Sequence, residues 1–67
     1  MDIRGRLARN VKERRAQRGW SQEDLADASG LDRTYISGIE RRVRNPTIEI
    51  VERLAKALKT PASTLLE

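Results

Sequence analysis

Ser21 and Asp32 each open a short helix, and Gly30 stands between the two. No other feature narrows the possible folds as much. Ser21 is a good N-cap, because a serine oxygen there satisfies an amide that has no partner within the helix. Asp24, three residues on, makes a weak capping box with it, and Trp20 and Leu25 form a hydrophobic staple. Glu23 and Asp24 lie in the first turn, where the helix dipole favours negative charge. Leu25, Ala26 and either Ala28 or Ser29 face inward. Gly30 ends this helix, as a glycine does by accepting positive φ. Asp32 then caps a second helix, with Leu31 and Ile36 as its staple and Ile36 and Ile39 as its buried edge. That helix runs to about Arg41.

The remaining apolar residues also fall at helical spacing, with no strict alternation, so the chain reads as all-α with five helices. The first spans about residues 2–18, buries a stripe of Ile3, Leu7 and Val11, and stops at Gly19. Residues 42–46 form a loop, because Pro46 disfavours a helical Asn45. Thr47 caps the fourth helix, whose inward stripe is Ile48, Val51, Leu54, Ala55 and Leu58, with Ile50 projecting from the side. The fifth helix is short. Pro61 suits its first turn, and Leu65 and Leu66 anchor it. A length of 67 residues allows one domain, taken as residues 1–67.

Composition excludes several function classes. The chain has neither cysteine nor histidine, so the usual nucleophiles, proton shuttles and transition-metal ligands are nearly all missing. No dense Asp/Asn loop offers a hard-cation site. The expectation is a protein with no catalytic role, metal or cofactor. No apolar run is long enough for a membrane span or a signal-peptide core, so a cytoplasmic protein with no membrane partner is expected. The net charge of +4 favours a polyanion. Bases crowd residues 1–18, acids occupy 19–32, and bases return at Arg33, Arg41, Arg42 and Arg44. Trp20 and Tyr35 are the only aromatics, too few for a single-strand stacking platform.

Two short helices around a tight turn are the helix-turn-helix layout, whose second helix enters the DNA major groove. Non-DNA helical hairpins share that layout, so particular residues must decide. On a wheel of about 100° per residue, Thr34, Ser37, Gly38 and Arg41 lie opposite Ile36 and Ile39, with Arg33 and Tyr35 on the flanks. This face is polar, small in its middle and basic at both ends. Arginine pairs bidentately with guanine, and a threonine methyl packs on thymine. A mid-helix glycine costs roughly 1 kcal/mol relative to alanine, so Gly38 implies a close approach. What approaches is either another helix or DNA, and the wheel points Gly38 outward, which favours DNA.

Trp-Ser-Gln-Glu-Asp-Leu-Ala (20–26), Gly30, Leu31, Arg-Thr-Tyr-Ile-Ser-Gly-Ile-Glu (33–40) and Arg-Asn-Pro-Thr (44–47) resemble the phage-repressor-like (Cro/XRE) helix-turn-helix family. Within it, the chain looks most like the controller proteins of restriction–modification systems. The resemblance implies a compact five-helix bundle of the lambda-repressor-like DNA-binding type. It implies that Gln22 contacts phosphate and braces the recognition helix. It further implies that Arg33, Thr34, Tyr35 and Ser37 touch bases or backbone, and that Arg44 and Asn45 grip phosphates. Arg41 joins this set from the wheel. The family pattern makes Arg15 and Glu40 a buried ion pair, structural in role. Lys59 and Arg42 stand where the family often has glycine, which predicts a strained backbone at both positions. Thr60 stands where the family has an apolar residue.

A single domain of this kind reads few base pairs, so a homodimer on two successive major grooves is expected. Ile50 is the local hint of an interface, flanked by Leu65 and Leu66. Glu23, Asp24 and Asp27 are the candidates for a contact with RNA polymerase. The leading function is therefore a sequence-specific regulator of transcription on double-stranded DNA. The main rival is an antitoxin-like interaction module of the same fold, which has no need for arginines at 33, 41, 42 and 44 together. A nucleic-acid binder without sequence preference would need bases but no organised reading helix.

Overall fold

In the computed structural model, which describes residues 2–67, Asp2 accepts a 3.0 Å hydrogen bond from the Gly5 amide and opens the first helix. The helices are α1 (Ile3–Gln17), α2 (Gln22–Ser29), α3 (Arg33–Glu40), α4 (Ile48–Ala57) and α5 (Ala62–Leu65). The expected caps are in place. Ser21 accepts from the Asp24 amide while the Asp24 carboxylate accepts from the Ser21 amide, at 3.0 and 2.9 Å. Asp32 accepts from Thr34 at 2.7 Å, and Thr47 accepts from Ile50 at 3.2 Å. Pro61 occupies the N-cap position of α5, one residue before the expected first turn, and makes no side-chain cap.

Four helices end in the same way. After α1, α2, α3 and α4, a residue with positive φ turns the chain: Gly19 (70°), Gly30 (74°), Arg42 (66°) and Lys59 (53°). At each turn the following amide reaches back five residues: Trp20 to Arg15, Leu31 to Ala26, Val43 to Gly38 and Thr60 to Ala55, at 2.9–3.1 Å. These are Schellman closures, which satisfy carbonyls the helix leaves open. Arg42 and Lys59 thus carry the strain expected where a side chain replaces glycine.

The core is formed by Leu7, Val11, Leu25, Ala26, Ile36, Ile39, Val51, Leu54, Ala55, Leu58 and Leu65. α1 packs on α3 and α5, α2 on α3 and α4, and α4 on α5. Ser29, not Ala28, takes the inward place at the end of α2, with its hydroxyl donating 2.7 Å to the Leu25 carbonyl.

Several expectations about burial are corrected. Ile3 is 51% exposed and Ile48 is 87% exposed, so neither belongs to an inward stripe. Both occupy the first position of their helix. Ile50 is half-buried and packs on the core instead. Leu65 is fully buried within its own bundle and offers no surface to a partner.

Many of the bases belong to the scaffold. Arg18 donates to the Leu58 carbonyl at the end of α4, and Arg53 donates to the Ser29 and Gly30 carbonyls at the end of α2. Arg9 donates to the Glu67 carbonyl and Asn10 to that of Leu65. Cations at helix C-termini complement the dipole and the open carbonyls. The basic run of residues 1–18 is therefore partly a set of internal clamps.

Candidate nucleic-acid interface

α3 is short because Asp32 starts it and the left-handed Arg42 turns the chain away just past its end. Its buried edge, Ile36 and Ile39, presses it onto α1 and α2. Thr34 and Arg33 are exposed, Ser37 and Tyr35 are half-exposed, and Arg41 stands exposed at the C-cap. The Arg41 Nε donates to the Ser37 hydroxyl at 3.3 Å. The outer face is thus polar and rimmed by cations, as the wheel predicts.

A chain of hydrogen bonds ties this face to the scaffold. Arg15 donates from Nε and Nη2 to the two oxygens of Glu40, at 2.8 and 3.0 Å. Its Nη1 donates 2.8 Å to the Trp20 carbonyl. Glu40 hydrogen bonding raises the Arg15 pKa against the opposing effect of burial. Glu40 also accepts from the Gln22 amide nitrogen at 3.1 Å. The Gln22 oxygen then faces the Arg33 Nη1 across a long 3.4 Å contact. Gln22 therefore braces α3 as expected, and its amide orientation follows from the carboxylate it meets.

Among the described residues the ion pairs are Arg15 with Glu40 and Arg4 with Asp2. Arg33, Arg41, Arg42 and Arg44 have no carboxylate partner, so their charge stays available to an anion. Asn45 is exposed beside them. Arg42, whose charge the sequence reading extends toward phosphate, is exposed in this basic rim. The Asp32 carboxyl is held below its ordinary value by the Thr34 backbone amide.

Gly38 requires a correction. It is buried, and what approaches it is the chain itself. A Cβ built there would lie 2.6 Å from the Cγ of Arg44. The wheel finds the direction of Gly38 but not the loop that folds back over it. The Arg44 guanidinium carbon then sits 5.3 Å from the centre of the Tyr35 ring.

An apolar groove lies beside the loop of residues 42–46. Ile3, Leu7, Pro46, Ile48, Val51 and Leu66 line it, and Asn45 stands at its edge. Ile48 is exposed in this groove and Leu66 is half-buried in it.

A family model described as "Helix-turn-helix" matches residues 11–65. A hypothetical transcription factor of Neisseria meningitidis is 46% identical over 65 residues, covering 97% of this chain and 61% of the relative. The chain therefore spans less than two thirds of that relative's length. The control protein C.SmaI of Serratia marcescens is 50% identical over 66 residues, covering 98% of this chain and 79% of the relative. Among solved structures, the restriction–modification controller protein C.Esp1396I, as a tetramer in complex with its natural 35 base-pair operator, superposes with a TM-score of 0.88. It is 42% identical, covering 97% of this chain and 86% of that one.

Proposed function

The chain belongs to the helix-turn-helix family, and from that premise we propose that it is a sequence-specific regulator of transcription acting on double-stranded DNA. The observation that carries this reading is the outer face of α3. Thr34 and Ser37 stand there between Arg33 and the Arg41–Arg44 rim, and among the described residues none of these arginines is within ion-pair distance of a carboxylate. A major groove about 12 Å wide admits such a helix. Arg33, held beside Gln22, is set to read guanine, and Thr34 is set against a thymine methyl. Tyr35 and Ser37 line the same groove wall. Gln22, Arg41, Arg42, Arg44 and Asn45 meet the phosphates around it.

The reading includes a homodimer. The bundle measures 26 × 22 × 20 Å, less than the spacing of about 34 Å between successive major grooves. One copy therefore enters one groove, and two are needed for a two-groove site. In this reading the candidate interface is centred on Ile48 rather than on Ile50 and Leu65. This residue is 87% exposed at the start of α4 and adjoins Leu66 and Pro46. Burying such a side chain against a second copy removes apolar surface from water. For a contact with RNA polymerase, this reading leaves Glu23 and Asp27, both exposed, because Asp24 is engaged in the capping box. The protein's role is to bind rather than to catalyse, and its place of action is the cytoplasm, with the DNA. No described helix is long and apolar enough to cross a membrane.

Selection of bound duplexes from a random pool tests the proposal. Enrichment of one motif in two inverted copies is the expected result. A pool that stays random after repeated rounds would refute sequence-specific binding.

A further inference from the structure

We propose that Arg53 is a positioning residue that sets which spacing of DNA half-sites the dimer accepts, by locking the turn before the reading helix to the helix that carries the dimer face. This deepens the DNA-binding reading above and rests on its homodimer through α4.

Each reading helix must meet its own groove, on a duplex that turns once in about 10–10.5 base pairs. One added base pair therefore moves a half-site by about 3.4 Å and rotates it by about 35°. A dimer discriminates between such duplexes only if each α3 is held rigidly relative to the dimer face. α3 packs on α1 and α2, and α2 packs on α4, where Ile48 stands exposed. The α2–α4 contact is thus the short route from the dimer face to α3. The longer one runs through α5 and α1.

Arg53 closes the short route. Its Nε donates to the Ser29 carbonyl at 3.3 Å, and its Nη2 donates to the Ser29 and Gly30 carbonyls at 3.2 and 3.0 Å. Ser29 is the last residue of α2 and Gly30 is its left-handed cap. Asp32 then caps α3, and Arg33 is its first residue. The guanidinium therefore grips the turn immediately before the reading helix. The other end of the link adjoins the dimer face, because Ile48, Glu49, Glu52 and Arg53 border one surface hollow with Ala62. Gly30 has no side chain to hold the guanidinium off, and a Cβ there would lie 2.8 Å from Nη2.

A competing partner stands on the same helix. Glu49 precedes Arg53 by four residues, the spacing at which an acid and a following base pair along a helix. The ion pairs among the described residues do not include Arg53. It bridges to α2 instead, where a cation meets the open carbonyls and the dipole of the helix end. An arginine that served only its own helix would pair with Glu49. One that donates to two carbonyls of another segment fixes that segment.

The test uses duplexes carrying the selected inverted motif with its selected spacer, with the spacer lengthened or shortened by one base pair, and with a single half-site. Fluorescence anisotropy gives the affinity of each for the unaltered protein, Arg53→Met and Arg53→Lys. Thermal melts and sedimentation equilibrium establish that each variant is a folded dimer. The unaltered protein is expected to lose about tenfold in affinity on either spacer change, because the duplex must be twisted to fit. Arg53→Met keeps the stem but none of the donors. It should bind the single half-site as the unaltered protein does, while its spacer discrimination falls to about threefold or less. Arg53→Lys, with one ammonium to share between two carbonyls, should lie between.

Full spacer discrimination in a folded, dimeric Arg53→Met would overturn the proposal, as would full discrimination in Arg53→Lys if the methionine variant does not fold. An equal loss on every spacer and on the single half-site would show that Arg53 supports α3 itself and would overturn the spacing role. Motif enrichment with no spacer preference in the unaltered protein would instead overturn the dimer reading on which the proposal rests.

Discussion

Arg15 and Glu40 meet as a two-pronged pair, with both carboxylate oxygens engaged at 2.8 and 3.0 Å. The Arg15 side chain is 15% exposed and that of Glu40 is 5% exposed. The pair joins α1 to α3, and its third guanidinium nitrogen holds the turn at Trp20. Removing one partner leaves a charge buried without its counterion. Glu40→Ala is therefore expected to destabilise the protein by about 3 kcal/mol. Replacing both residues by methionine should cost less, because no charge is then stranded. Urea denaturation of the three proteins checks this. A double variant less stable than Glu40→Ala would contradict it.

Arg33 is tied to the scaffold only by the long contact to Gln22, so its loss should leave the fold intact. Arg33→Ala is expected to weaken binding to the selected duplex by about 1–3 kcal/mol and to relax preference at one or two base positions. Fluorescence titration with duplexes varied at each position measures it. Equal losses on selected and random DNA would remove Arg33 from the base-reading set.

Ile48 contributes little to the core of its own bundle, since 87% of it is exposed. Ile48→Glu should keep the melting temperature of the isolated domain but place a charge in the proposed dimer face. Sedimentation equilibrium should then show a mass shift from dimer toward monomer. An unchanged mass would exclude Ile48 from the interface. Ile50→Glu, in contrast, should also lower stability, because Ile50 packs on the core.

Lys59 turns the end of α4 at φ 53°. A left-handed backbone costs a side-chain-bearing residue about 1–2 kcal/mol, and glycine returns part of that gain through its unfolded-state entropy. Lys59→Gly is expected to stabilise the protein by about 0.5–1 kcal/mol. Lys59→Ala, which keeps the Cβ, should not. Thermal melts of both variants separate relief of strain from loss of the lysine charge.

The Thr34 amide hydrogen bond holds the Asp32 carboxyl below its ordinary value of 3.8. A carboxyl whose folded pKa is lowered stabilises the fold above its unfolded value and loses that contribution as pH falls through the folded one. Asparagine keeps the cap but not the charge. The stability gap between the unaltered protein and Asp32→Asn should therefore be constant near neutrality. It should close as the pH falls below 3.8. Denaturant midpoints across the acid range read this directly, and a gap that persists at the lowest pH would contradict the assignment.

Much of the site is legible along the chain. The caps at Ser21, Asp32 and Thr47 are bonds between residues two or three apart. Helical periodicity separates Ile36 and Ile39 from Thr34 and Ser37, since that division depends only on turn angle. The left-handed turns at Arg42 and Lys59 follow from the family pattern, because a Schellman closure is a geometry set within a few residues of the helix end.

Tertiary packing decides the rest. Helical spacing puts Ile48 in the inward stripe of α4 and Ile50 at its side, yet Ile48 is solvated and Ile50 packs on the core. Leu65 looks like a free leucine near the chain end, but α5 docks between α1 and α4 and buries it. Gly38 shows most clearly where sequence reading stops. Its presence in α3 and its outward direction follow from spacing alone. What fills the space it leaves depends on a loop folding back, bringing together Arg44 and Tyr35, which no helical repeat relates. The helices, their caps and their two faces arise from interactions a few residues long, so they can be read along the chain. Which apolar residues stay exposed, which arginines clamp the fold and which arginine folds back over α3 depend on contacts between segments distant in the chain.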